Sequence, residues 1–188
     1  MIHFTFAQIA VITLIVLAVL ALLVWSVSKV AKAAPAAMTK PGYVSGVGGL
    51  LLVVAVYLWC AALMRLYTVG HEAAEVVRFA MMDAGYVWPV FQTMLPDLLS
   101  GLGFVIAALC LTIGRSKMAL YAGIVLAWVA GPGISVSRAI FEQIPLTWNG
   151  EPSAMVLGSA IVTLYLLLSD RATLTYGLPK AAQLPDRA

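Results

Sequence analysis

The side chains best placed to do chemistry sit at the ends of apolar stretches of the chain: Arg65, His71, Glu72, Asp97, Arg138 and Glu142. Charge held close to lipid is costly, so such residues are functional candidates by default, and together they would line a polar vestibule open to one face of a membrane. Arg138 and Glu142 are four residues apart, on one face of a helix, and are spaced to pair, though arginine before glutamate is the weaker order. Each candidate also has a plainer role. Arg65, one residue inside the end of its stretch, can snorkel to the surface. An Arg138–Glu142 pair at an interface contributes little. The second candidate feature is Gly131-Pro132-Gly133, about 20 Å from the inner end of its helix at about 1.5 Å per residue. Proline without a donor, flanked by glycines, predicts a kink or break. In transporters such breaks expose carbonyls and half-helix dipoles to a solute; elsewhere they are packing bends.

Catalytic and cofactor chemistry finds little support. The only histidines are His3 and His71, neither inside an apolar stretch, so no pair is available for a haem within the bilayer. His71-Glu72-Ala73-Ala74-Glu75 lacks the second histidine of a zinc site of the H-E-x-x-H type. No stretch carries a nucleophile elbow, a paired aspartate dyad or a P-loop. The expectation is a protein without catalysis of its own, and without metal or cofactor. Cys60 and Cys110 lie at depths that differ by roughly 18 Å along their helices, beyond the reach of a disulfide, and should be free thiols.

The elements that must carry these residues are five apolar stretches, over residues 6–28, 44–66, 97–114, 118–137 and 153–169. About 20 apolar residues in a helix cross a hydrocarbon core roughly 30 Å thick. The chain is 63% hydrophobic and 10% charged, with mean hydropathy +1.01, against roughly a quarter charged for a soluble domain. Lipid offers no partner for free backbone groups, and the stretches are too long for barrel strands, so they should be helices. The fold class is therefore all-α, a polytopic transmembrane bundle of five spans.

Basic residues set the orientation. Lys29, Lys32, Lys40, Arg115, Lys117, Arg171, Lys180 and Arg187 lie in alternate connections and the C-terminal segment, and only Arg65, Arg78 and Arg138 lie opposite, eight against three. This positive-inside pattern places the N-terminus outside and the C-terminus in the cytoplasm. It also accounts for the net charge of +3 without nucleic acid, for which no basic patch with interleaved aromatics is present. The first stretch is too long for the core of a signal peptide, has no preceding Lys or Arg, and reads as a retained anchor.

Residues 1–41 thus form an anchor with a Pro-containing hinge, 42–176 a four-helix bundle and 177–188 a cytoplasmic tail. The outer connection, 67–96, is the largest soluble element, with a mixed amphipathic pattern that suits a short helix on the membrane surface. Tyr86, Trp88 and Phe91 suit an interfacial aromatic belt, and Pro96-Asp97 a helix start. Small residues that permit close helix approach recur: Gly42 with Gly46, Gly123 with Ala127, and the run Gly158-Ser159-Ala160.

The run Gly42-Tyr43-Val44-Ser45-Gly46-Val47-Gly48-Gly49-Leu50 resembles the G-x-G-G-W-L opening of an uncharacterised bacterial membrane family, labelled domain of unknown function twenty-five sixty-nine. The run from Ser169 through Arg171 and Thr175 to Tyr176 is similar to its S-x-R-V-x-x-T-F close, and Leu50 stands where the family has Trp. The short basic turn Arg115-Ser116-Lys117 also falls where the family has one. The resemblance covers residues 42–176 and implies a four-helix fold with no known activity. By itself, Arg171 just past a helix end would bond the last carbonyls, and Tyr176 would lie at the interface. The functional expectation is an accessory or scaffolding subunit of a larger bacterial inner-membrane complex, with the bilayer and protein subunits as partners. The alternative is a small transporter that uses the outer vestibule.

Overall fold

The computed structural model of the protein describes residues 6–80, 87–141 and 150–185. They are built from helices: α1 (Phe6–Ala33), α2 (Leu50–Ala80), α3 (Val87–Thr112), α4 (Lys117–Trp128), a π-helical turn (Val129–Gly133), α5 (Ile134–Phe141), α6 (Glu151–Leu168), α7 (Asp170–Tyr176) and a closing 3-10 turn (Pro179–Gln183). Among the described residues, three helical segments are long and apolar enough to cross a membrane: Leu50–Glu75, Phe91–Thr112 and Lys117–Ser137. A fourth forms if α6 and α7, bent by 75° across Ser169, count as one span. This is a helical membrane protein. α1, helical over 28 residues, is about 42 Å long.

α2 and α3 form the central antiparallel pair, α4 and the π turn pack on α3, and α6 packs on α4 and the π turn. The core joins Leu51 and Leu58 of α2, Phe104 and Leu111 of α3, Leu120 of α4 and Leu166 of α6, all buried. Close approach follows from small side chains. A Cβ on Gly103 would lie 2.8 Å from that of Ala130, and one on Gly123 would lie 3.0 Å from Leu111. Lipid does not drive helices together, so this contact between small residues and neighbouring chains provides the packing.

Several sequence expectations are corrected. The 67–96 connection is not a separate surface helix: α2 runs straight on to Ala80 and α3 starts by Val87, leaving only 81–86 outside the described residues. Helix propagation is cooperative, and α2 continues past the apolar limit through Gly70 to Ala80 with no proline to stop it. Pro96 therefore lies inside α3, and Asp97 is mid-helix rather than at its start. Gly42 and Gly46 do not form a helix-packing pair; both have positive φ, 74° and 87°, in the irregular segment before α2. Trp88 and Phe91 stack with centroids 5.9 Å apart, while Tyr86 lies outside the described residues.

The C-terminal segment packs against α7 as far as Leu184. Ala181 and Leu184 are buried against Leu174, and Lys40 Nζ donates to the Leu184 carbonyl. The segment 34–38 is likewise held, its Ala37 and Met38 amides donating to the carbonyls of Thr175 and Leu174 at 3.1 Å.

Candidate functional site

Of the proposed vestibule, the structure joins Arg65 and Asp97. Arg65 Nη1 lies 2.9 Å from Asp97 Oδ1, linking α2 to α3. The side chains are 12% and 2% exposed, so this is a buried pair rather than a snorkelling arginine. Arg65 is 15 residues from the start of α2, about 22 Å along the helix. Opposite charge and hydrogen bonding allow Asp97 to remain at such a depth. His71 is exposed and Glu72 half-buried further along α2. Arg138 belongs to α5, but its side chain lies outside the described residues, as does Glu142, and with them the proposed pair.

A cleft of about 460 Å³ opens beside Arg65, lined by Tyr57, Cys60, Ala61, Met64 and Thr68 of α2 and Met155 of α6. The α2 residues fall at helical spacing on one stripe that α3 leaves uncovered. The Tyr57 ring crosses toward α6 because Gly158 has no side chain: a Cβ there would lie 2.3 Å from the phenolic oxygen. Cys60 and Cys110 are both free thiols.

Gly131-Pro132-Gly133 is a bulge rather than a break. Val129–Gly133 forms one π-helical turn, and the helix continues on both sides as a single stretch from Lys117 to Ser137. The wider turn eases the clash between the proline ring and the preceding carbonyl. Ser100 Oγ donates to the Ala130 carbonyl within the turn at 2.5 Å, and Ser159 Oγ donates to Ala127 of α4 just before it at 3.3 Å. Trp128 Nε1 donates to Thr163 Oγ1 at 2.9 Å nearby. Ser100 was missed in the sequence and Ser159 was read only as a small packing residue; the signal for both is a hydroxyl within an apolar run.

At the opposite end of the bundle, two runs far apart in sequence meet. Arg171 Nε donates to the Gly46 carbonyl at 2.9 Å, and the Gly46 amide donates to Thr175 Oγ1 at 2.9 Å. The guanidinium lies flat on the glycines: a Cβ on Gly48 would sit 2.7 Å from Nη2, and one on Gly49 would sit 2.9 Å from Nη1. Ser169 caps α7 by accepting from the Ala172 amide at 3.4 Å, and Gly177, at φ 64°, closes it. Tyr176 is buried, not interfacial, and its hydroxyl donates to the Leu111 carbonyl at 2.6 Å. Arg171 thus bonds the loop before α2 instead of the last carbonyls of α6, because the 75° turn at Ser169 swings α7 under the bundle.

Arg115 does the carbonyl capping expected of Arg171, and does it for another helix. Its Nε and Nη2 donate to Ala34 at 3.0 and 2.9 Å, and Nη2 donates to Ala31 at 3.0 Å. Nη1 donates to Gly114 at 2.7 Å. The guanidinium so satisfies orphan carbonyls at the end of α1 and complements its negative pole. Burial pulls the Arg115 pKa below its usual range, with the neighbouring Tyr176 acting in the opposite sense.

Among the described residues no three His, Cys, Asp or Glu side chains are grouped to hold a metal ion. Comparison with protein-family models, curated proteins and solved structures finds no match.

Proposed function

We propose that the protein is an accessory or scaffolding subunit of a larger membrane assembly, without catalysis of its own, and that α1 is its docking helix. The observation that carries this reading is that α1 is fastened at its C-terminal end and exposes described apolar side chains before it. Val27, Ala31 and the Arg115 cap fix its C-terminal end, whereas Leu14, Leu22 and Trp25 are 67%, 65% and 60% exposed. These exposed apolar side chains face lipid or another subunit. The serine bonds to Ala130 in the π turn and to Ala127 before it also favour a structural role over a solute path.

In this reading α1 is the first of five spans in a bacterial inner membrane, with the N-terminus outside and the C-terminus cytoplasmic. The support is the eight-to-three division of basic residues. The segments bearing Lys40, Arg115 and Arg171 converge on one end of the bundle, as a single cytoplasmic face requires. The resemblance to domain of unknown function twenty-five sixty-nine belongs to the same reading, and its two motif halves are the ones that meet at Arg171 and Gly46.

The test is gentle extraction of the tagged full chain and mass determination of what accompanies it, beside a version in which Leu14, Leu22 and Trp25 are replaced by alanine. Stoichiometric partners lost on that replacement are expected. A protein that stays alone in both forms sinks the reading. The cleft beside Arg65 favours a second reading, a small transporter. It requires flux across proteoliposomes that Arg138→Ala abolishes while the protein stays folded.

A further inference from the structure

A concavity of about 420 Å³ lies where the α3–α4 turn meets the C-terminal segment. Arg115 and Lys117 contribute its charge, and Met38, Leu178, Pro179 and Ala182 contribute apolar wall. We propose that it binds the anionic headgroup of a phospholipid, with the upper part of an acyl chain lying on the apolar wall.

Three observations carry this. First, among the described residues no carboxylate pairs with Arg115: its four hydrogen bonds there go to carbonyls of Ala31, Ala34 and Gly114. Carbonyl dipoles satisfy its donors but leave a whole cationic charge half-buried, and a nearby anion would neutralise it. Secondly, Lys117 adds a second cation, exposed at the start of α4, and no carboxylate lines the concavity among the described residues. Asp170, at the start of α7, lies 3.8 Å from Lys180. Thirdly, the site stands at the interfacial end of two membrane-length segments, between Thr112 and Lys117. Basic concavities between helices at that level suit lipid headgroups, whereas a soluble anion has no use for the apolar wall.

The site is independent of what α1 docks against, and it rests only on the chain being embedded in a membrane. The experiment uses the purified full chain in neutral detergent, titrated with phosphatidylglycerol, phosphatidylcholine or inorganic phosphate. Bound lipid is read by mass spectrometry of the intact protein, and protection by thermal unfolding. Phosphatidylglycerol is expected to bind and protect in preference to phosphatidylcholine. Lys117→Gln, at an exposed position, should weaken that binding about fivefold. Ala182→Trp, exposed on the 3-10 turn, fills the concavity without changing charge and should also reduce it. Lys29→Gln removes the same charge from α1, outside the concavity, and should leave the affinity unchanged. Equal binding of the two lipids, or equal losses in the Lys117 and Lys29 variants, would overturn the proposal. So would protection by inorganic phosphate without preference between the lipids, which would assign the charge to a soluble anion.

Discussion

Arg171 Nε reaches the carbonyl of Gly46 at 2.9 Å, across 125 residues of sequence, and lays its guanidinium on Gly48 and Gly49. Neither glycine can gain a side chain without displacing that group. Gly49, at φ 55°, carries a further cost of about 1–2 kcal/mol for any L-residue with a Cβ. Gly48→Ala and Gly49→Ala should both lower the unfolding temperature in detergent. Arg171→Ala should relieve the steric part of the Gly48→Ala loss, so the double variant should lose less than the sum of the singles. Strict additivity would show that the contact is not energetically coupled.

The Arg65–Asp97 pair is buried enough for its two charges to depend on one another. Asp97→Ala should destabilise the protein measurably, because it removes the carboxylate that pairs with the buried Arg65 guanidinium. Replacing both residues by methionine and leucine should recover most of the loss. Equilibrium unfolding of the two singles and the double measures this directly. A double variant as unstable as Asp97→Ala would mean that the pair has a role that apolar packing does not replace.

Ser100 supplies the donor for a carbonyl within the π turn. Ser100→Ala should cost about 0.5–1.5 kcal/mol, the net contribution of one buried hydrogen bond. Ser159→Ala, whose bond to Ala127 is longer at 3.3 Å, should cost less. The ranking is read by thermal unfolding, and its reversal would contradict the geometry.

Arg115→Lys should release the end of α1. One ammonium cannot reproduce the fork that spans Ala31 and Ala34. Amide exchange in the last turn of α1 should rise at least severalfold, while α2 and α3 stay protected. Exchange that rises equally in all three helices would mean that Arg115 holds the whole bundle rather than this joint.

Tyr57 and Gly158 form a size-matched contact, since a Cβ on the glycine would lie 2.3 Å from the phenol oxygen. Gly158→Ala should swing the Tyr57 ring into the cleft and destabilise the protein modestly. Tyr57→Ala should remove most of that penalty. An unchanged Gly158→Ala penalty in the Tyr57→Ala background would place the conflict elsewhere.

Composition and the length of the apolar runs were enough to establish a helical membrane protein, because lipid accepts only chains that satisfy their own backbone. They placed the residues of α4 and the proline bulge to within a residue or two, since both depend on neighbours along one helix. The free thiols at Cys60 and Cys110 were legible for the same reason: depth along a helix is a local quantity. The motif residues Gly46, Gly48, Gly49, Arg171 and Thr175 were visible as types, but nothing local says that they touch.

Tertiary structure decided the partners. Arg65 found Asp97 because α2 packs along α3, and Arg171 found Gly46 because α7 folds back at Ser169. Arg115 was free to cap α1 because the end of that helix passes the α3–α4 turn. Helical rise and hydropathy act over a few residues and can be read along the chain. A hydrogen bond or ion pair depends on which helix faces arrive within about 3 Å of each other, and that is settled only when the bundle packs.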